Sequence, residues 1–182
     1  MILFINGCAR EDSRTIKIAK ALLSKLGEYK EINLYKENLN PIDTKTLIKR
    51  DGFIKNQNFD DDMFRYAKDL KSADTVVIAL PFWDLSFPSV FKIYIENIYV
   101  HGLVTKFDSN GRPVGLCKAN KVYYVTTSGG PYDKRYSFDY VKDMFINYFG
   151  MKECQLIYAE MLDIVGSDPD RIVQDVIDNL KI

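Results

Sequence analysis

Histidine is almost absent: His101 is the single one in 182 residues, which excludes a metal site built on several histidine ligands. Cysteine is scarce too. Cys8, Cys117 and Cys154 are odd in number, far apart and without a C-x-x-C pair, so neither a zinc site nor a disulfide framework is indicated. Reduced thiols suit a cytoplasmic protein. Net charge is missing as well: 25 Lys and Arg offset 25 Asp and Glu, whereas a general nucleic-acid binder carries a basic excess. No apolar run approaches the roughly 18 residues that would span a bilayer. The apolar opening at Met1–Ile5 lacks the basic prelude of a signal peptide, so no membrane partner is expected. There is no G-x-G-x-x-G, and so no glycine channel for a dinucleotide pyrophosphate.

What is present is an ordinary globular composition, 47% hydrophobic and 27% charged, with no repeat and no linker. One domain over residues 1–182 follows. Aromatic residues reach 13%; most such rings belong to a core, and some are available to line a flat ligand's pocket.

Short apolar runs alternate with amphipathic ones. Buried strands are expected at Ile2–Ile5, Thr75–Leu80, Lys121–Thr127 and Glu153–Ala159, and a half-exposed edge strand at Glu31–Tyr35. Helical spacing marks Thr15–Leu26, closed by Gly27, then Asp60–Lys71, Pro88–Tyr99, Phe138–Phe149 closed by Gly150, and Asp168–Leu180. Asp168 or Ser167 suits the N-cap of the last helix, with Pro169 at its first position. The polar stretch Asn38–Asn58 carries a short helix near Thr44–Lys49. This β-α alternation predicts an α/β fold, a doubly wound five-stranded parallel sheet of order 2-1-3-4-5 with helices on both faces. Ligands bind such sheets beyond the carboxyl ends of the strands, which directs attention to the loops after Ile5, Leu80 and Thr127.

The first of these loops, Gly7–Thr15, opens a helix. Free helix-end amides, the hydroxyls of Ser13 and Thr15, and the cations Arg10 and Arg14 suit one phosphate dianion. Ser13 is equally explained as an ordinary N-cap. The same residues spell Cys-x5-Arg-Thr, from Cys8 to Arg14 and Thr15, which resembles the phosphate loop of low-molecular-weight protein tyrosine phosphatases. That likeness would make Cys8 a low-pKa nucleophile and Asp168 its general acid. Glu11 and Asp12 oppose a tightly wrapped phosphate there.

The second loop, Pro81-Phe82-Trp83-Asp84-Leu85-Ser86-Phe87-Pro88, sets three large rings where water should be, an arrangement a planar ligand explains. With Ser89–Tyr94 it is similar to the P-M-Y-N-F-x-I-P-x-x-L-K-x-Y stretch of the FMN-dependent azoreductase and quinone reductase family. Gly102–Phe107 resembles that family's G-x-T-F segment. Thr127-Ser128-Gly129-Gly130 with Tyr132 resembles its S-R-G-G-x-Y loop, and the first loop its S-x-x-x-x-S-x-[ST] phosphate site. The likeness runs in order from Ile2 to about Phe149.

The resemblance implies a flavodoxin-like fold with FMN as cofactor. Its phosphate would lie at Arg10, Ser13, Arg14 and Thr15, with Cys8 at an early position that is often serine. Pro81, Phe82, Trp83, Asp84 and Leu85 would meet the isoalloxazine, and Thr127, Ser128, Gly129, Gly130 and Tyr132 its pyrimidine side. Asp84 stands where asparagine is common and Ser128 where arginine is, which alters the charge near the ring. The implied reaction passes two electrons from NADH or NADPH to a quinone or azo compound by a ping-pong route, in a homodimer with the site at the subunit interface. No protein nucleophile is required, and whether Tyr132 or water delivers a proton is left open. A flavodoxin-like electron carrier is the remaining alternative, although its usual T-x-T-G-x-T phosphate loop is absent.

Overall fold

The computed structural model describes all of residues 1–182. Five parallel strands, β1 (Ile2–Asn6), β2 (Tyr29–Asn33), β3 (Thr75–Ala79), β6 (Lys121–Thr127) and β7 (Glu153–Ala159), form one sheet in the order β2-β1-β3-β6-β7. Counted along the main strands, this is the expected 2-1-3-4-5 order. The helices are α1 (Arg14–Leu26), α2 (Thr44–Lys55), α3 (Arg65–Ser72), α4 (Ser89–Ile98), α5 (Phe138–Asp143) and α6 (Pro169–Asp178).

Alternation along the strands divides the core. Phe4, Val77, Tyr123 and Val125 face Ile18, Leu22 and Val173 beneath α1 and α6. Leu3, Ile5, Val76, Ile78, Val122 and Tyr124 face Phe64, Leu70, Phe91, Tyr94 and Phe145 on the other side. Each such fully buried Leu, Ile or Phe contributes about 1.5–3 kcal/mol, so a sheet covered on both faces holds the strand ends rigid. The rim at the carboxyl ends can then carry irregular loops.

Several boundaries differ from expectation. The edge strand starts two residues earlier, at Tyr29, because Ile2 pairs with Tyr29 and the Tyr29 ring packs edge-on against Phe4 at 5.7 Å. Leu34 then lies beyond the strand, buried, its amide donating to the Asn6 carbonyl at 2.8 Å. The short helix near Thr44 extends to Lys55 and buries no residue, so periodicity had little to reveal. A small antiparallel hairpin, β4 (Thr105–Phe107) with β5 (Pro113–Gly115), was not expected; its turn is held by Asp108 Oδ1 accepting from the amides of Asn110 and Arg112. A side chain at Gly115 would collide with the Gly150 backbone at 2.1 Å, which explains the glycine in so short a strand. The helix expected to reach Phe149 widens after Asp143 into a π-helical stretch, Met144–Tyr148.

Two helix starts carry information. Asp168 caps α6, its carboxylate accepting from the Arg171 amide at 3.1 Å, with Pro169 at the first position. Ser13 occupies the N-cap of α1, yet its hydroxyl makes no capping hydrogen bond. No helix is long and apolar enough to cross a membrane.

Candidate functional site

The loops after β1, β3, β6 and β7 meet over a cavity of about 420 Å³, within the usual range for small-molecule sites. Ser13 leads one wall. Since its hydroxyl does not cap, and the amides of Arg14, Thr15 and Ile16 have no backbone acceptor, the start of α1 presents unpaired donors. Arg10 and Arg14 bring cations to the lining, Asp12 and Asp163 carboxylates. Arg14 Nη1 donates to Asp163 Oδ1 at 2.7 Å. Arg10 forms no ion pair.

The opposite wall follows from β3. The Phe82 amide donates to the Thr127 carbonyl at 2.9 Å, extending the ladder past the strand and placing Pro81, Phe82 and Trp83 on the cavity. Trp83 is 41% exposed. Trp83 and Ser86 then exchange two backbone hydrogen bonds of 2.8 Å, closing a two-residue turn with Asp84 at φ +49° and Leu85 at φ +67°. Both residues are left-handed, as in a type I′ turn, which favours Asn-Gly or Asp-Gly. A leucine in that conformation is strained by about 1–2 kcal/mol. The third wall is Thr127, Ser128 and Gly129, buttressed by the loop after β7, whose Leu162 and Asp163 amides donate to Ser128 and Gly129.

The structure thus brings Arg10, Ser13, Arg14, Pro81, Phe82, Trp83, Thr127, Ser128 and Gly129 to one cavity. Other expected residues lie elsewhere. Asp84 and Leu85 ride the turn away from it and line a separate hollow of about 670 Å³ with Phe87, Tyr136 and Tyr140; the left-handed backbone of the turn carries them outward. Thr15 is fully buried, its hydroxyl bonded to that of Thr127 at 2.7 Å, so it ties α1 to β6. The Gly130 carbonyl accepts from the Ser128 hydroxyl and the Met161 amide, which turns Gly130 off the lining. Tyr132 stands behind Phe82, edge-on at 5.0 Å. Its hydroxyl is engaged with Ser137 at 2.8 Å and burial pushes it up to about 12, which makes it a supporting ring and a poor proton donor.

Cys8 departs most from the nucleophile expected of a phosphatase loop. It is 4% exposed and packed in the core beneath α1, with Sγ 3.6 Å from the Ala79 carbonyl. Burial pushes the thiol up to about 11, against the lowering effect of the Ser13 and Thr15 hydroxyls. A thiolate nucleophile needs the opposite shift. Asp168, the supposed acid, is occupied in capping α6.

Asp12, Leu162 and Asp163 were not expected on the lining. In the sequence Asp12 reads only as a charge opposing phosphate. For the other two the available signal was positional: they follow the carboxyl end of a parallel strand, where sites form.

Comparisons with known proteins agree with this fold. A family model described as flavodoxin-like fold matches residues 1–181. The chain is 32% identical to an FMN-dependent NADH:quinone oxidoreductase of Clostridium beijerinckii, over 99% of this chain and 96% of that one. It is 34% identical to a protein of the same name from Coprothermobacter proteolyticus, over 91% and 87%. A solved structure of an FMN-dependent NADH-azoreductase from Bacillus anthracis, in complex with FMN, superposes with a TM-score of 0.80 at 27% identity, covering 97% of this chain and 93% of that one. With a family model matching residues 1–181 and relatives above 30% identity over nearly the whole chain, the chain belongs to the flavodoxin-like family of FMN-dependent NADH:quinone oxidoreductases.

Proposed function

We propose that this chain binds FMN in the rim cavity and reduces quinones or azo compounds at the expense of NADH or NADPH. The observation that carries the reading is the start of α1: an N-cap serine whose hydroxyl does no capping, at a helix end whose first three amides have no backbone acceptor, with Ser13 and Arg14 on the same cavity as Phe82 and Trp83. These residues fit the group. Ser13, the Arg14–Ile16 amides and Arg10 would hold a phosphate. Phe82 and Trp83 offer rings to a flat heterocycle, and beside Thr127 and Ser128 the Gly129 amide, which has no backbone acceptor, is open to its amide-like edge.

When bound beside Ser13, Phe82 and Trp83, FMN would supply the redox chemistry, two-electron transfer between a reduced nicotinamide and the acceptor. The protein's residues bind and orient. Tyr132, Ser137 and Glu160, which accepts from the Tyr132 amide at 2.7 Å, fix the ring behind Phe82. Thr15 and Thr127 keep the phosphate end and the ring end at a constant spacing. No side chain on the lining is placed as proton donor; solvent reaches the half-open cavity and serves that role. A homodimer belongs to the same reading, because the exposed Trp83, Leu85 and Tyr136 at the rim suit cover by a second copy.

The test is titration of the purified protein with FMN, followed by quinone-dependent oxidation of NADH. Quenched flavin fluorescence and quinone-dependent turnover are expected, with sedimentation at twice the chain mass. Protein that leaves FMN fluorescence unchanged would overturn the reading. Cys8→Ser should leave FMN binding intact, because the thiol faces the core and not the cavity.

A further inference from the structure

The cations of the rim cavity are balanced by acids. Arg10 and Arg14 share the lining with Asp12 and Asp163, so its formal charge is zero where a dianion is to be held. One of the two cations is already taken. Asp163 accepts from Arg14 across 149 positions of sequence, Oδ1 to Nη1 at 2.7 Å.

The contact is built into the fold. The Asp163 amide donates to the Gly129 carbonyl at 2.9 Å, which fastens the loop after β7 over the loop after β6. The Asp163 carboxylate then lies where a side chain at position 129 would be, Oδ2 falling 2.4 Å from an ideal Cβ. Glycine at 129 therefore leaves Asp163 the room to reach Arg14. The pair is open to water, at 37% and 68% side-chain exposure, so it is weak and can yield to a stronger anion. It nevertheless keeps a guanidinium engaged and a negative charge on the lining.

We infer that Asp163 is a specificity-determining residue that weakens the phosphate site by occupying Arg14, so that the cavity discriminates FMN from the unphosphorylated flavin riboflavin less than its two arginines would allow. This rests on the FMN reading above. A phosphate at Ser13 and the α1 amides must compete with the Asp163 carboxylate for Arg14 and tolerate its charge. Riboflavin has no phosphate and meets neither cost. Asp163 touches no reacting atom; it acts through Arg14.

The experiment measures dissociation constants for FMN and for riboflavin by flavin fluorescence quenching, with wild type, Asp163→Asn, Arg14→Gln and the double variant. Removing one like charge and releasing the guanidinium, Asp163→Asn should tighten FMN about ten-fold and shift riboflavin less than about two-fold, since that ligand lacks the charge. In the Arg14→Gln background the same substitution should alter FMN binding by less than about three-fold, because the competed cation is gone. Weaker FMN binding by Asp163→Asn, or an equal shift for both flavins, would overturn the inference and leave the cofactor reading standing; Asp163 would then merely position Arg14 or the loop. Failure of wild type and all variants to bind either flavin would overturn both. Asp163 is exposed, and a melting temperature for each variant close to that of wild type is expected to show that folding is intact.

Discussion

The loop after β1 and the loop after β3 meet over the same cavity and are built on opposite principles. The first is anchored inward. Asn6, Cys8 and Thr15 are buried, with Asn6 Oδ1 accepting from the Cys8 amide and Thr15 bonded to Thr127, and only its second half, from Arg10 to Arg14, turns polar groups outward. The second is anchored at its base by the Phe82–Thr127 ladder bond and then projects as a strained turn with exposed Trp83 and Leu85. A phosphate site requires fixed donors at a helix end, which a buried foundation supplies. A surface for flat rings requires apolar area held out of the core, and a short rigid turn can do that at some conformational cost.

The largest way to break the contrast is alkaline pH, which attacks the buried foundation. With the Cys8 thiol raised from 9.0 to about 11, the unfolded chain loses this proton first. Stability is therefore full below pH 9 and falls as pH rises from 9 to 11, by on the order of 2–3 kcal/mol from this group alone. Denaturant melts across that range check it, and the native thiol should resist iodoacetamide at pH 8. Next comes Thr15→Val, which strands the Thr127 hydroxyl at the joint between α1 and β6. A loss of about 1–2 kcal/mol in unfolding free energy is expected, read by chemical denaturation.

Ser13→Ala sharpens the comparison from the other side. Its hydroxyl caps nothing, so stability should stay within about 0.5 kcal/mol of wild type. FMN affinity should fall about five-fold, the worth of one hydrogen bond, in a fluorescence titration. A serine that was only a cap would reverse that pattern. The smallest effect is expected at the turn: Leu85→Gly relieves the left-handed strain at a 65% exposed position. A gain of about 0.5 kcal/mol should remain after glycine's own entropy cost, visible as a rise in melting temperature.

The sheet order was legible because fully buried parallel strands leave continuous apolar runs, as at Thr75–Ala79 and Lys121–Thr127. The edge strand was misplaced by two residues because only Ile32 is buried in it, and one buried residue cannot set a register. The β4–β5 hairpin is silent in the sequence for the same reason, with Thr105 its one buried residue. In the site, Ser13, Phe82 and Trp83 were visible as polar and aromatic groups in strand-end loops. Which way a loop residue turns was not: Asp84 and Leu85 read as site residues by adjacency, yet the sign of their φ angles carries them to a different hollow.

Local chemistry along the chain thus determined the five strands of the main sheet, the helices, their order and the three loops to examine, because burial periodicity and helix-end preferences act between neighbours in sequence. Only the folded structure decided that Cys8 faces the core and Ser13 the cavity, that Thr15 serves the joint to β6, and that Asp163 reaches Arg14. Those outcomes turn on side-chain direction and on contacts more than a hundred residues apart, for which no short stretch of sequence holds both partners.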